Sequence, residues 1–468
     1  YPILGGRRRV PGRGTGAGWQ PCLTHPKAVD FTIDYAREYF ERNPQSASIS
    51  LGINDGGRYC ECERCLKLVD ENLEENAQRS LWFFRYANKV GEAFDQHFPT
   101  KQIGYLLYGR CKMFPENMKI HPRLIGFYVT PSYRLITEEG KQLYDEGLAQ
   151  LTKSVSRFAL YDWFYGDGLA IPRMQIRQAA YYLKKGYDMG ARHLKAEAYM
   201  NWGLDGFKYW IHAKLLWDPS ADVDTLMNDF FTRFFKESAQ PMKEYFKIVE
   251  RYSETPVEGP NPDDGVINYR FRYPVQLESF PPKAVEECLP HLDKAAKLAR
   301  SYIVSQRVKY FRQAFEVSRM LTMQYHFAKS AIPLLARPES LSDGMSLLAK
   351  AMHPSLNVDQ YYQWVLKDDD YCVRYPDLRM FGTVTMARGY AARTLSNAVV
   401  SGLKEFGQKT IRQEQLQNAV DVVLDQSFGK IDDPEARDIA LTSVAPFARK
   451  VILCPKVSAP VVDGKIDE

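Results

Sequence analysis

SISLGINDGGRYCECERC, Ser48 to Cys65, decides how the rest of the chain is read. Ile49, Leu51 and Ile53 alternate with Ser48, Ser50 and Gly52, small residues that suit a strand covered on both faces, as in a parallel sheet. The run stops on Asn54-Asp55-Gly56-Gly57, an amide and a carboxylate ahead of two residues that turn easily. Parallel α/β folds collect their chemistry at the carboxyl ends of strands, which makes Asn54 and Asp55 candidates. A hairpin is the competing reading, because Asn, Asp and Gly are also the residues that turns prefer.

The same phrase recurs downstream. Strands are predicted at Ile103–Tyr108, Leu124–Val129, Phe158–Trp163 and His193–Tyr199, separated or preceded by helical periods over Pro26–Arg42, Leu81–Phe98, Glu138–Ser154 and Met174–Met189. Each strand runs into a polar and aromatic loop: Tyr108-Gly109-Arg110, Thr130 to Tyr133, Asp162 to Asp167, and Glu197 to Trp202. Strand-then-helix units in series, all loaded at the same end, predict an α/β fold with a (β/α)8 TIM-like barrel over 1–217. The visible strands read as strands 4 to 8, with the first strands expected ahead of Tyr1. No strand feeds a glycine-rich phosphate loop, which argues against a nucleotide-binding doubly wound sheet.

Asp218-Pro219-Ser220 breaks this alternation. From 218 to 452 the period is helical: Ala221–Arg251, then beyond a Pro- and Gly-rich connector at Glu254–Pro274 come Ala284–Tyr302, Val308–Ala331, Met386–Phe406 and Glu414–Asp425. An all-α domain is expected there. Residues 453–468, with APVVDGKID, read as a linker or the start of a β-sandwich carbohydrate-binding module.

At 468 residues, 45% hydrophobic and 25% charged, the chain has the composition of a folded protein with real cores. The net charge of +5 and the single basic run Arg7-Arg8-Arg9 among glycines and prolines fit a solvated loop, so no nucleic-acid partner is expected. No run of about eighteen apolar residues spans a membrane. The opening YPILGGRRRVPG lacks an initiator Met and a secretory signal, and is expected to be a cut within a longer protein.

Eight cysteines are present, and only Cys60-x-Cys62-x-x-Cys65 is dense. With Cys22 or Cys111 as a fourth thiol it could form a structural cluster around zinc. Tetrahedral zinc usually draws on two separated CxxC pairs, and the second pair is absent, so disulfides or plain buried thiols are the preferred reading. No catalytic metal and no cofactor are expected.

Carboxylates around a pocket walled by Trp and Tyr are the equipment of glycoside hydrolysis: one acid protonates the leaving oxygen while aromatic faces hold the sugar. Asp55, Asp162, Asp167, Glu197 and Asp205 supply the carboxylates, and Tyr108, Tyr161, Trp163, Tyr165, Tyr199 and Trp202 the walls. His25, His193 and His212 lack metal-ligand spacing, and no G-x-S-x-G nucleophile elbow occurs.

GWQPCLTHP, SISLGINDGGRYCECERC, ALYDWFYGDG and AEAYMNWGLDGFKYWIHAKLLWDP together resemble the bacterial domain of unknown function 4838, grouped with glycoside hydrolase family 163. The resemblance covers roughly 15–250. It implies a (β/α)8 barrel with endo-β-N-acetylglucosaminidase activity on complex N-glycans, hence a glycan or glycoprotein substrate and a secreted, periplasmic or cell-surface location. Related barrels use the substrate's own acetamido oxygen as nucleophile. By that likeness Asn54 holds the acetamido group and Asp55 donates the proton, with Glu197 as rival acid. Tyr108, Tyr161, Asp162, Trp163, Tyr165, Trp202 and Asp205 are the expected substrate-binding residues. Family 20 hexosaminidases, similar in this region, carry Asp-Glu where this chain has Asn54-Asp55, which draws the acid back by one methylene. The competing expectations are a glucuronidase-like hydrolase using two carboxylates, and a glycan-binding barrel without turnover.

Overall fold

The computed structural model describes residues 1–10, 19–54, 56, 58–112, 118–164, 169–198, 202–262, 265–268, 270 and 273–361, with 391 and 434. The helices expected at 386–406 and 414–425 and the segment 453–468 lie outside the described residues. The chain divides into two compact units: Tyr1–Phe164, Gln175–Ala198 and His212–Val223 form the first, and Tyr165–Met174, Tyr199–Ile211 and Asp224–Glu468 the second. The expected boundary at 217 is thus crossed twice, at 165–174 and 199–211, which belong to the second unit.

In the first unit an N-terminal hairpin, β1 (Ile3–Leu4) and β2 (Arg7–Arg8), turns on Gly5 and Gly6 at φ +56° and +72°, a two-glycine turn that other residues would strain to make. The arginines expected in a solvated loop lie in this hairpin and are exposed. Then come α1 (Ala28–Arg42), β3 (Ser48–Ser50), α2 (Glu63–Leu66), α3 (Glu75–His97), β4 (Gln102–Leu107), β5 (Leu124–Val129), α4 (Glu138–Ser154), β6 (Phe158–Trp163), α5 (Ile176–Asp188) and β7 (Leu194–Glu197). β3 to β7 lie side by side in sequence order, every pair parallel, as a curled five-stranded half-barrel sheet. Among the described residues the expected eight-stranded barrel is therefore met as this half.

The local reasons are legible. α4 starts on Thr137, whose hydroxyl accepts the Gly140 N–H at 3.0 Å, a side-chain cap on an otherwise orphan donor. α3 buries Phe84, Ala87, Val90, Gly91 and Phe94, one stripe of a 3.6-residue period. Across that stripe Phe83 and Phe84 each meet Tyr105 of β4 at 5.9 Å between ring centroids. β3 is shorter than the Ser48–Ile53 run suggests. Leu51 N still donates to Gly104 O, but the Asn54 N–H goes to the Gln20 side chain, so the chain leaves the ladder there.

In the second unit α6 (Trp202–Trp217) begins, followed by α7 (Val223–Phe235), α8 (Ala239–Glu254), α9 (Pro282–Leu298), α10 (Tyr302–Leu335), α11 (Leu341–Ala351) and α12 (Val358–Tyr361). The single helix expected over Ala221–Arg251 is two. Lys236 sits at φ +43°, and the Glu237 carboxylate beside it accepts the backbone N–H groups of Arg300 and Ser301 at 2.9 and 3.0 Å, which draws the chain out of the helical line. Phe207, Phe230, Phe231, Phe246 and Phe311 build this unit's core, with centroids 4.5 to 5.5 Å apart in the pairs Phe207–Phe230, Phe207–Phe231 and Phe246–Phe311.

Tyr105 and Gly126 are register partners on β4 and β5, and a Cβ on Gly126 would lie 2.8 Å from the Tyr105 hydroxyl. That hydroxyl is buried without a hydrogen-bond partner among the described residues. Gly126→Ala is expected to lower stability by about 1–3 kcal/mol through overpacking. Tyr105→Phe should cost little alone and recover part of that loss in the double variant. Urea unfolding of the four proteins in the cycle measures this; strict additivity would show that the two residues do not compete for the same space.

Candidate active site

Strand alternation and register assemble the site at the carboxyl end of the sheet. Tyr161 and Trp163 project from the same face of β6, and the register places Tyr161 opposite Lys195 and Trp163 opposite Glu197 on β7. The contacts follow that register. The Tyr161 hydroxyl donates to Glu197 Oε1, the Trp163 indole N–H donates to the same oxygen at 3.1 Å, and the Lys195 ammonium lies 5.4 Å from the Tyr161 ring centroid. Trp163 also meets Tyr108, just past β4, edge to face at 6.0 Å, and Tyr161 edge to face at 6.1 Å. Glu197, Trp163 and Tyr108 are half-buried, and Tyr161 is buried. A carboxylate in a fixed orientation therefore stands beside three aromatic rings at one strand end.

The support beneath the site is aromatic too. The Tyr182 hydroxyl donates to Tyr161 O at 3.2 Å, the Tyr144 hydroxyl donates to Tyr182 O at 2.8 Å, and the Tyr144 and Tyr182 rings stack at 4.9 Å. Burial pushes both phenols well above their ordinary range, so each stays a neutral donor.

Asp162, an expected sugar contact, faces the other way and is 0% exposed. Its carboxylate accepts the Ser132 N–H on both oxygens, at 3.2 and 3.1 Å, and the Trp163 N–H at 2.6 Å. It braces the turn after β5, since period-two alternation sets it opposite Tyr161 and Trp163. Trp202 and Asp205 are not at a strand end: they occupy the first turn of α6, in the second unit. Asp205 is buried and ion-paired with Lys208 at 2.6 Å, and Lys208 also donates to Arg173 O at 3.2 Å. Burial pushes the Asp205 carboxyl up while the Lys208 charge opposes it. Trp202 is 40% exposed and lines a cavity of about 610 Å³ with Trp210, Phe230, Phe234, Arg307 and Tyr310.

Asp55, Tyr165, Asp167 and Tyr199 lie outside the described residues. Asn54 is described, and its partners were not anticipated. Its side-chain N–H donates to Trp19 O at 3.1 Å, its backbone N–H goes to Gln20 Oε1 at 3.1 Å, and Gln20 Nε2 donates to the carbonyls of Asn54 and Gly56. Gln20 thus holds the backbone of Asn54 and Gly56, a role visible beforehand only as its place in GWQPCLTHP. β3 and β7 are opposite edges of the sheet, so the Asn54 loop and Glu197 are on the order of 19 Å apart along its curve. Lys112 is a second residue that patterning missed: its ammonium donates to Val129 O at 2.8 Å and Thr130 Oγ1 at 2.7 Å, tying the segment after β4 to the end of β5.

Cys60, Cys62 and Cys65 gather with Cys22, leaving Cys111 apart, where its sulfur meets the Tyr59 hydroxyl at 3.6 Å and Arg79 O at 3.9 Å. The Cys65 thiol holds Cys22 below the ordinary thiol range, and the same contact pushes Cys65 up.

A family model described as Domain of unknown function (DUF4838) matches residues 2–247, just over half of the chain. None of the curated proteins searched matches it.

Asp162→Asn puts an N–H donor against backbone N–H groups and is expected to lower unfolding stability by about 2–3 kcal/mol, read as a lower urea midpoint at unchanged slope. Burial, with Arg134 nearby, draws Lys112 down to about 8 from 10.5. Between those values the unfolded chain holds the proton and the folded chain does not, so Lys112 adds stability as pH rises from about 8 toward 10. Urea midpoints across that interval should rise less in Lys112→Met than in the parent chain.

Proposed function

The chain belongs to the DUF4838 family, and from that premise and the strand-end site we propose that it is a glycoside hydrolase cleaving β-linked N-acetylglucosamine in glycans such as complex N-glycans. The observation that carries the reading is Glu197, a strand-end carboxylate oriented by Tyr161 and Trp163 among three aromatic rings. A sugar stacks its apolar face on such rings while a positioned acid works on the glycosidic oxygen.

Glu197 is the acid/base in this proposal. With Tyr161 and Trp163 both on Oε1, the proton in transit belongs on Oε2. The acetamido oxygen of the substrate attacks the anomeric carbon as the glycosidic bond breaks, and Glu197 gives its proton to the leaving oxygen. Water then opens the oxazolinium ring from the same side, returning a proton to Glu197, so configuration is retained. Asn54, past the strand at the other edge of the sheet, holds the sugar from that side, and a substrate touching both edges is longer than a single residue. Such glycans are borne by extracellular glycoproteins, which suits a secreted, periplasmic or cell-surface enzyme. A two-carboxylate hydrolase of glucuronidase type would use the same Glu197 without acetamido participation.

Hydrolysis of an aryl N-acetyl-β-glucosaminide and of a complex N-glycopeptide tests this. Glu197→Gln should cut kcat/KM by about 10²–10⁴-fold, and Tyr161→Phe should lower kcat and displace the pH profile while substrate binding persists. A thiazoline mimic of the oxazolinium should inhibit; if it does not, the acetamido route is wrong. Wild-type chain that binds these glycans but turns none of them over would leave a binding module and end the hydrolase reading.

A further inference from the structure

Four of the five thiols described in the first unit gather in one place. Cys22 Sγ lies 3.7 Å from Cys62 Sγ and 3.8 Å from Cys65 Sγ, and the sulfurs of Cys22, Cys60, Cys62 and Cys65 all lie within 4.8 Å of one another. Zinc–thiolate bonds of about 2.3 Å in a regular tetrahedron put the sulfurs about 3.8 Å apart. Two disulfides would instead divide the sulfurs into two bonded pairs, and none of the six described cysteines is in a disulfide.

The surroundings suit thiolates. The Ile3 N–H donates to Cys60 Sγ at 3.3 Å, and the Thr24 hydroxyl lies 3.0 Å from Cys65 Sγ, donors of the kind that steady metal-bound sulfur. Tyr59 and Trp82 pack in the same cluster, with Ile3 and Leu68 against it, so bulk water is held off. The Arg79 guanidinium stacks over both rings, 4.7 and 4.5 Å from their centroids, bringing positive charge toward a centre whose net charge with four thiolates is negative.

We infer that Cys22, Cys60, Cys62 and Cys65 hold one structural zinc ion, closed to substrate by four protein ligands. On binding, the ion forms four Zn–S bonds, the thiol protons pass to solvent, and nothing is oxidised or reduced. The ion joins pieces of chain that no strand connects: the hairpin β1–β2 through Ile3, segment 19–24 through Cys22, and segment 60–65, which runs from the loop after β3 into α2, through the other three cysteines. Gln20, two residues before Cys22, holds the backbone of Asn54 and Gly56, so the ion anchors the Asn54 loop through it. This role does not depend on the proposed hydrolysis.

The full chain, expressed in zinc-supplemented medium and purified without chelator, should carry about one zinc per chain by elemental mass spectrometry, with X-ray absorption showing four sulfur neighbours at about 2.3 Å. Cys22→Ser and Cys65→Ser should lose the zinc, while Cys288→Ser, a buried thiol of the second unit, should keep it. Release of the ion with a mercurial and chelator should speed amide exchange across 19–24 and 50–68 and leave 239–298 unchanged. A zinc-free wild-type chain overturns the inference, whether its four cysteines alkylate as thiols or its mass shows disulfides. Iron in place of zinc overturns it as well.

Discussion

Parallel pairing is the constraint on which the described site depends. Because β3 to β7 all run the same way, each strand delivers its last residues to one edge, and the residues that follow are freed from the ladder together. β6 and β7 then need only their register to bring Trp163 against Glu197 and Tyr161 against Lys195. One slip of that register would turn Tyr161 and Trp163 away from the carboxylate and put Asp162 in their place.

The contrast between Asp162 and Glu197 shows how little residue type decides. Both are carboxylates at strand ends. Asp162 is spent on two backbone N–H groups inside the protein, while Glu197 takes its hydrogen bonds from aromatic side chains at a half-buried position. Period-two alternation carried part of this in advance, since 161 and 163 share a face that 162 does not. Which of the two faces meets Glu197 was not in the alternation, because every residue of β6 from Phe158 to Asp162 is buried.

The loop after β3 depends on a different kind of link. Past Leu51 the sheet no longer supports it, and its backbone partners come from Gln20, while its cysteines meet Cys22. Both residues lie in a stretch with no regular structure of its own, some thirty residues or more away in sequence, so a loop of high closure entropy is ordered by side-chain links and isolated backbone hydrogen bonds, Gln20 N–H to Arg58 O and Glu61 N–H to Ile3 O, and not by a ladder. Burial of Tyr59 and Trp82 beside the sulfurs gives that arrangement its apolar floor.

Alternating strand and helix periods were legible in the sequence because they arise locally: Leu124–Val129 and Phe158–Trp163 come out with the predicted ends, and the helix over Glu138–Ser154 does too. The strand-end position of Glu197 followed from the same periods. Tertiary structure alone decided that Cys22 and not Cys111 completes the cysteine group, that Gln20 holds Asn54, and that Asp205 pairs with Lys208 on a helix. Those outcomes rest on which distant segments meet, and a periodicity reports the face a residue occupies without naming what will be packed against it.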